Sequence, residues 1–189
     1  RDACFLAMVV AGAVPILAAE SARTEAGRLV SFDVKSVALA NTKVGTNPTR
    51  QAFAYLPPGH DESSRRYPVV YYLPTSFANY RSAFDRNDGR GFLDREIASG
   101  AIPPFVFICV DIGTPLANSW AANSSVTGNW DDFIARELVS HVDAVFKSRP
   151  TRESRGIAGE FMGAHGAIRV AMGHPDVFGA VYGLHPVGT

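Results

Sequence analysis

The sequence predicts an α/β fold, a doubly wound and mostly parallel sheet with a leading antiparallel hairpin. Three observations carry that expectation. Residues 67–73 and 105–111 are short, nearly unbroken apolar runs that stop at polar or turn residues, as strands buried on both faces do. Residues 155–184 read as a small-residue strand, a sharp turn, a helix and another strand, the unit from which doubly wound sheets are built. Residues 29–37 and 51–56 alternate in part and are rich in β-branched and aromatic side chains, which suits the two arms of a hairpin.

The remaining elements follow in chain order. Residues 41–48 form a turn-rich loop between the hairpin arms, and residues 57–66 form another. Residues 91–100 fit a crossover helix with Gly100 as its stop. From Asn129, a candidate cap, Ile134, Leu138, Val142 and Val145 or Phe146 recur at helical spacing. Asp131 and Asp132 suit the positive end of that helix dipole, and Asp132 can reach Arg136 one turn on. As solvated helix-start charges they need no catalytic role. Residues 162–172 read as a helix that ends near Gly173-His174-Pro175, and residues 178–184 as the strand after it.

The 189 residues are 47% hydrophobic, with 18 acidic and 18 basic side chains and no biased tract, which is the composition of one globular domain. A net charge near zero supplies no field for a nucleic-acid backbone and no polybasic run for a lipid surface, so neither is expected as a partner of the mature protein. Residues 3–19 carry no charge. The run is short for a membrane span and fits the apolar region of a signal peptide, with a buried helix of the fold as the other reading. On the first reading, residues 1–19 are a signal peptide, 20–189 a partial catalytic-type domain, and the protein is secreted or periplasmic. Cys4 leaves with the signal and Cys109 alone remains, so no disulfide framework is expected.

The chemistry is expected at Gly159-Glu160-Phe161-Met162-Gly163, between the small-residue strand and its helix. Gly-x-Ser-x-Gly at such a place makes a nucleophile elbow, a turn so tight that positions two before and two after the apex press on neighbouring backbone. Both glycines are present, but Phe161 stands at the apex. Around it, Ser154-Arg-Gly-Ile-Ala-Gly159, Met162-Gly163-Ala-His-Gly-Ala167 and His174-Pro-Asp-Val-Phe-Gly-Ala-Val-Tyr182 resemble the putative-esterase family of α/β-hydrolases, which includes esterase D, feruloyl esterases and mycolyltransferases. The resemblance extends upstream through Ala78-Asn79-Tyr80-Arg81-Ser82 and Val126-Thr-Gly-Asn-Trp130 to cover most of residues 67–186.

That resemblance implies an α/β-hydrolase fold and an ancestry in carboxylic ester hydrolysis, of feruloyl or acetyl type, without a cofactor. It implies an oxyanion hole from the backbone N–H groups of Ser76 and Met162. The family has His-Gly or Asp-Gly where this chain has Pro74-Thr75, so both halves of the site depart from the pattern together. A triad also needs an Asp and a His after later strands, in the order Ser, Asp, His. On that pattern they fall beyond Thr189, and the chain reads as incomplete at its C-terminus, with the strand at 178–184 left as an exposed edge open to self-association. Phenylalanine has neither a lone pair for a carbonyl nor a proton to surrender, so the acyl-enzyme route is closed at position 161. A non-catalytic descendant that holds a carbohydrate or acyl ligand, an altered copy of an esterase, and a different nucleophile all remain open.

Tyr80, Trp120 and Trp130 are candidates to line a cleft for an aryl or sugar ring, with packing as the alternative. His165 and His185 flank the elbow in sequence and suit packing or loop roles. Cys109 lies in an apolar strand, as an inert thiol does. His60, His141, His165, His174 and His185 show no ligand spacing, so no metal site is expected. An aromatic apex is expected either to relax the turn or to swing its ring into the old cleft, because a left-handed backbone costs it about 1–3 kcal/mol.

Overall fold

In the computed structural model, residues 26–75, 80–85 and 88–187 are described. The first two strands, β1 (Arg28–Lys35) and β2 (Thr49–Leu56), form the expected antiparallel hairpin, with Arg28 opposite Leu56 and Lys35 opposite Thr49. Four parallel strands follow: β3 (Val69–Leu73), β4 (Val106–Val110), β5 (Arg155–Glu160) and β6 (Ala180–Leu184). They assemble in the order β1-β2-β4-β3-β5-β6. The chain leaves β3 towards β4 on one side and leaves β5 towards β6 on the other. The carboxyl ends of β3 and β5 therefore lie side by side, Leu73 paired with Gly159, at the point where winding reverses.

Helices cover both faces of the sheet. On one face α1 (Gly89–Ala98) sets Leu93 and Ile97 against Tyr55, Phe84 and Cys109. On the other, α2 (residues 130–145) and α3 (Met162–Gly173) enclose Tyr71, Leu73, Ile108, Trp130, Phe133, Leu138, Ala167 and Val170. Gly100 takes a left-handed φ of 77° just beyond α1, the stop its position suggested.

The α2 pattern holds with two corrections. Its middle, Phe133–Leu138, is π-helical between α-helical ends. The wider turn rotates the apolar stripe, so that Ile134 and Ala135, then Leu138 and Val139, are all buried. Val145 consequently faces solvent, and Phe146 packs inward from extended backbone beyond the helix end. The N-terminal cap is also not supplied as expected, since Asn129 makes no side-chain cap. Instead Asn123 reaches across from a two-residue strand, and its Oδ1 accepts from the N–H groups of Asp131 at 2.9 Å and Asp132 at 3.3 Å. Asp132 and Arg136 form the expected pair at 3.2 Å.

Among the described residues β6 pairs with β5, and Val181 is 46%, Tyr182 66% and Leu184 41% exposed. Among the described residues no helix is long and apolar enough to cross a membrane. The run 3–19 lies outside the described residues.

Candidate active site

The turn between β5 and α3 retains the elbow geometry. Phe161 has φ 51° and ψ −114°, a backbone state that side chains other than glycine rarely occupy. Its N–H donates to the Leu184 carbonyl at 3.0 Å, and its own carbonyl accepts from the His165 N–H at 3.1 Å. Space around the turn explains the two glycines. A Cβ on Gly159 would meet the Gly163 carbonyl carbon at 2.4 Å, and one on Gly163 would meet the Leu73 carbonyl oxygen at 2.0 Å. The helix start is thus pressed against the end of β3, and both arms of the turn are fixed by contacts that ignore the apex side chain.

For that reason the turn has not relaxed, contrary to the first of the two outcomes expected of an aromatic apex. The Phe161 ring is 49% exposed, and among the described residues it tilts against the His185 ring, at 6.3 Å between centroids. Strain without burial gives a signed expectation. Phe161→Gly should raise stability by about 1 kcal/mol, from about 1–3 kcal/mol of relieved strain less the entropy of a freer unfolded chain. Urea unfolding measures it, and a lowered midpoint would show that ring contacts outweigh the strain.

Other site positions divide clearly. Met162 opens α3 beside the segment that follows Leu73, whereas Ser76 lies outside the described residues. Trp120 reaches the helix that follows the elbow: its indole meets the His165 ring edge-on at 5.6 Å, and its carbonyl lies 3.4 Å from where a Cβ of Gly166 would sit. The indole is partly exposed, and the loop holds Ala117, Trp120 and Ala121 at φ 87°, 54° and 50°. No glycine marks these positions, so nothing in the sequence announced that strain. Tyr80 stacks on Phe53 at 5.5 Å, half-buried above the α1 face. Trp130 is corrected outright. It is fully buried, its Nε1 donates to the Thr127 carbonyl, and the Arg50 guanidinium covers its ring at 5.0 Å, so it is a core residue with no surface to offer a ligand.

Among the described residues, the histidines paired with carboxylates are His60, with Asp61, and His174, with Asp131, both at 2.9 Å. The second pair joins the carboxyl end of α3 to the amino end of α2, a staple that sequence reading missed because its partners are 43 residues apart. Cys109 is fully buried, and burial pushes its thiol well above the ordinary range, as an inert thiol requires. Beside the elbow helix, a hollow of about 350 Å³ is lined by His165, Ile168, Arg169, Met172 and Pro186.

Solved structures share this architecture. A ferulic acid esterase superposes with a TM-score of 0.73 at 23% identity, over 83% of this chain and 59% of its own. The CE1 ferulic acid esterase of the anaerobic fungus Anaeromyces mucronatus gives 0.70 at 18%, over 89% and 62%. An S-formylglutathione hydrolase from Agrobacterium tumefaciens gives 0.68 at 19%, over 86% and 59%. The chain thus spans about three fifths of the length of each. These likenesses establish the α/β-hydrolase fold. The family model described as "Putative esterase" matches residues 44–187, and with the elbow, its two obligatory glycines and the strand order in agreement, the chain belongs to that esterase family.

Proposed function

We propose that this chain is the core of a carboxylic-ester hydrolase lineage, for feruloyl- or acetyl-type esters, in which the acyl-enzyme route is closed and ligand binding without turnover remains. The observation that carries the reading is Phe161 at φ 51° on an otherwise intact elbow. The scaffold still presents an apex side chain at the carboxyl end of β5, where the solved ferulic acid esterases have a similar fold, but that side chain cannot attack a carbonyl. A partly exposed Trp120, held by a strained loop against His165 in the helix that follows the apex, supports retained binding of a planar ring. The uncharged run 3–19 supports export to the periplasm or the cell exterior.

Hydrolysis of activated aryl esters is the direct test. The chain should show no turnover above an unrelated protein and no labelling by a serine-directed phosphonate. Phe161→Ser alone should restore less than the full rate by a factor on the order of 10⁴ or more, since a nucleophile without an adjacent base keeps little of the triad's effect. Turnover in the unaltered chain that titrates with the phosphonate would overturn the proposal.

A further inference from the structure

One side chain of the leading hairpin holds the start of the loop that carries Trp120. Arg50 is the second residue of β2, and its side chain is only 7% exposed. A guanidinium taken out of water must find acceptors in the protein, and this one finds them on both sides. Nε donates to the Asp111 carbonyl and Nη1 to the Asn47 carbonyl, both at 3.2 Å. Nη2 donates to the Gly113 carbonyl at 2.9 Å and to the Asp111 carboxylate. The guanidinium also lies over the buried Trp130 ring, 5.0 Å from its centroid, so it is fixed by donors at its edge and by packing at its face.

From Gly113 the contacts continue to Trp120. Gly113–Thr114 pairs antiparallel with Ala117–Asn118, Gly113 opposite Asn118. The buried Asn118 Oδ1 then accepts from the Trp120 N–H at 2.7 Å, and the Ser119 N–H donates back to the Ile112 carbonyl at 3.1 Å. Left-handed backbone at Ala117, Trp120 and Ala121 persists only where the surroundings over-determine it. On one side those surroundings are Arg50 and this short ladder. On the other, the fully buried Ala121 packs against α3 at Gly166.

We propose that Arg50 is a positioning residue for Trp120: it fixes residues 111–113 and, through Asn118, sets the indole against His165, where it stacks a planar aryl ligand. The ligand rests on the binding of a planar ring proposed above, whereas the placement of Trp120 does not. Lysine is no substitute for Arg50. Its ammonium is a point charge with three donors, and it cannot serve four contacts in one plane while lying flat on an indole.

Fluorescence tests the placement. Subtracting the emission of Trp120→Ala from that of the unaltered chain isolates this indole from Trp130. The same subtraction within Arg50→Lys should give an emission maximum at longer wavelength and stronger quenching by acrylamide, with circular dichroism unchanged. Arg28→Lys, at the far end of the hairpin where Arg28 pairs with the exposed Asp61, should change neither. A Trp120 signal that is the same in Arg50→Lys as in the unaltered chain overturns the proposal, as does an equal shift in Arg28→Lys. If Arg50→Lys does not fold, hydrogen exchange on the unaltered chain decides. The N–H groups of Gly113 and Trp120, which donate to Asp111 Oδ1 and Asn118 Oδ1, should then be protected together. A Trp120 amide that exchanges as an open chain while Gly113 is protected overturns the proposal. Calorimetry with methyl ferulate reads the consequence for binding. Arg50→Lys should weaken it about three- to tenfold, the range of one aromatic contact, and should add no further loss in a Trp120→Ala background. Equal losses in both backgrounds overturn the proposal. Absence of binding by the unaltered chain counts against the ligand cleft, and fluorescence still decides the role of Arg50.

Discussion

Gly163→Ala is expected to cost more than about 3 kcal/mol and to lower the melting temperature by about 6–12 °C, a large share of an ordinary domain's stability. In helix propensity alone the change should gain up to about 1 kcal/mol, so a loss requires a stronger opposing effect. That effect is contact with backbone. The new Cβ would lie 2.0 Å from the Leu73 carbonyl oxygen, 2.7 Å from its carbon and 2.8 Å from the Pro74 carbonyl oxygen. No side-chain rotation relieves a clash with main chain, so α3 or the end of β3 must move, and the elbow moves with it. Gly156→Ala is the control, because its nearest neighbour would be 3.8 Å away at ordinary van der Waals distance. Thermal and urea unfolding of the two variants should differ widely. Equal midpoints would mean that the helix start is not seated on β3.

Asp143→Ala is expected to cost about 3–5 kcal/mol, the penalty for removing one partner of a buried ion pair. Arg155, at the start of β5, points an Nη2 at Asp143 Oδ2 on α2, with side chains only 10% and 20% exposed. The other carboxylate oxygen, Oδ1, accepts from the hydroxyl of the fully buried Ser148. Arg155 cannot shed its proton, so truncating Asp143 leaves a largely buried guanidinium without its counter-charge, with Nε already lacking a protein partner. The Tyr71 hydroxyl is buried nearby, and desolvation first, then the Asp143 charge, raises its pKa well above the ordinary value. It cannot serve as a substitute anion. Arg155→Met combined with Asp143→Leu should recover most of the loss, because an apolar replacement of a whole buried pair is often neutral. If Asp143→Ala costs less than about 1 kcal/mol in a urea titration, water reaches the pair and its burial is not what holds β5 to α2.

The pair illustrates a limit of reading along the chain. Arg155 and Asp143 are ordinary charges in the sequence, on a strand start and a helix end, and only the packing of that helix beneath that strand makes them interdependent. The same holds for Asn123, which caps α2 from outside it, and for the staple between Asp131 and His174. Short-range signals fared better. The apolar runs at 67–73 and 105–111 became β3 and β4, and the two glycines of the elbow met the backbone they were expected to meet.

The sequence by itself determined the fold class, the family and the identity of the apex residue, because strand burial, turn tightness and nucleophilicity are each properties of a few adjacent side chains. Tertiary structure alone decided the state of that apex. Phe161 keeps a nucleophile's backbone because β6 and α3 clamp the turn from both ends, and its ring stays half in solvent because no described element lies over it. It also decided that Trp130 belongs to the core and Trp120 to the rim. Burial depends on which elements pack over a residue, and helix spacing within one segment does not encode that.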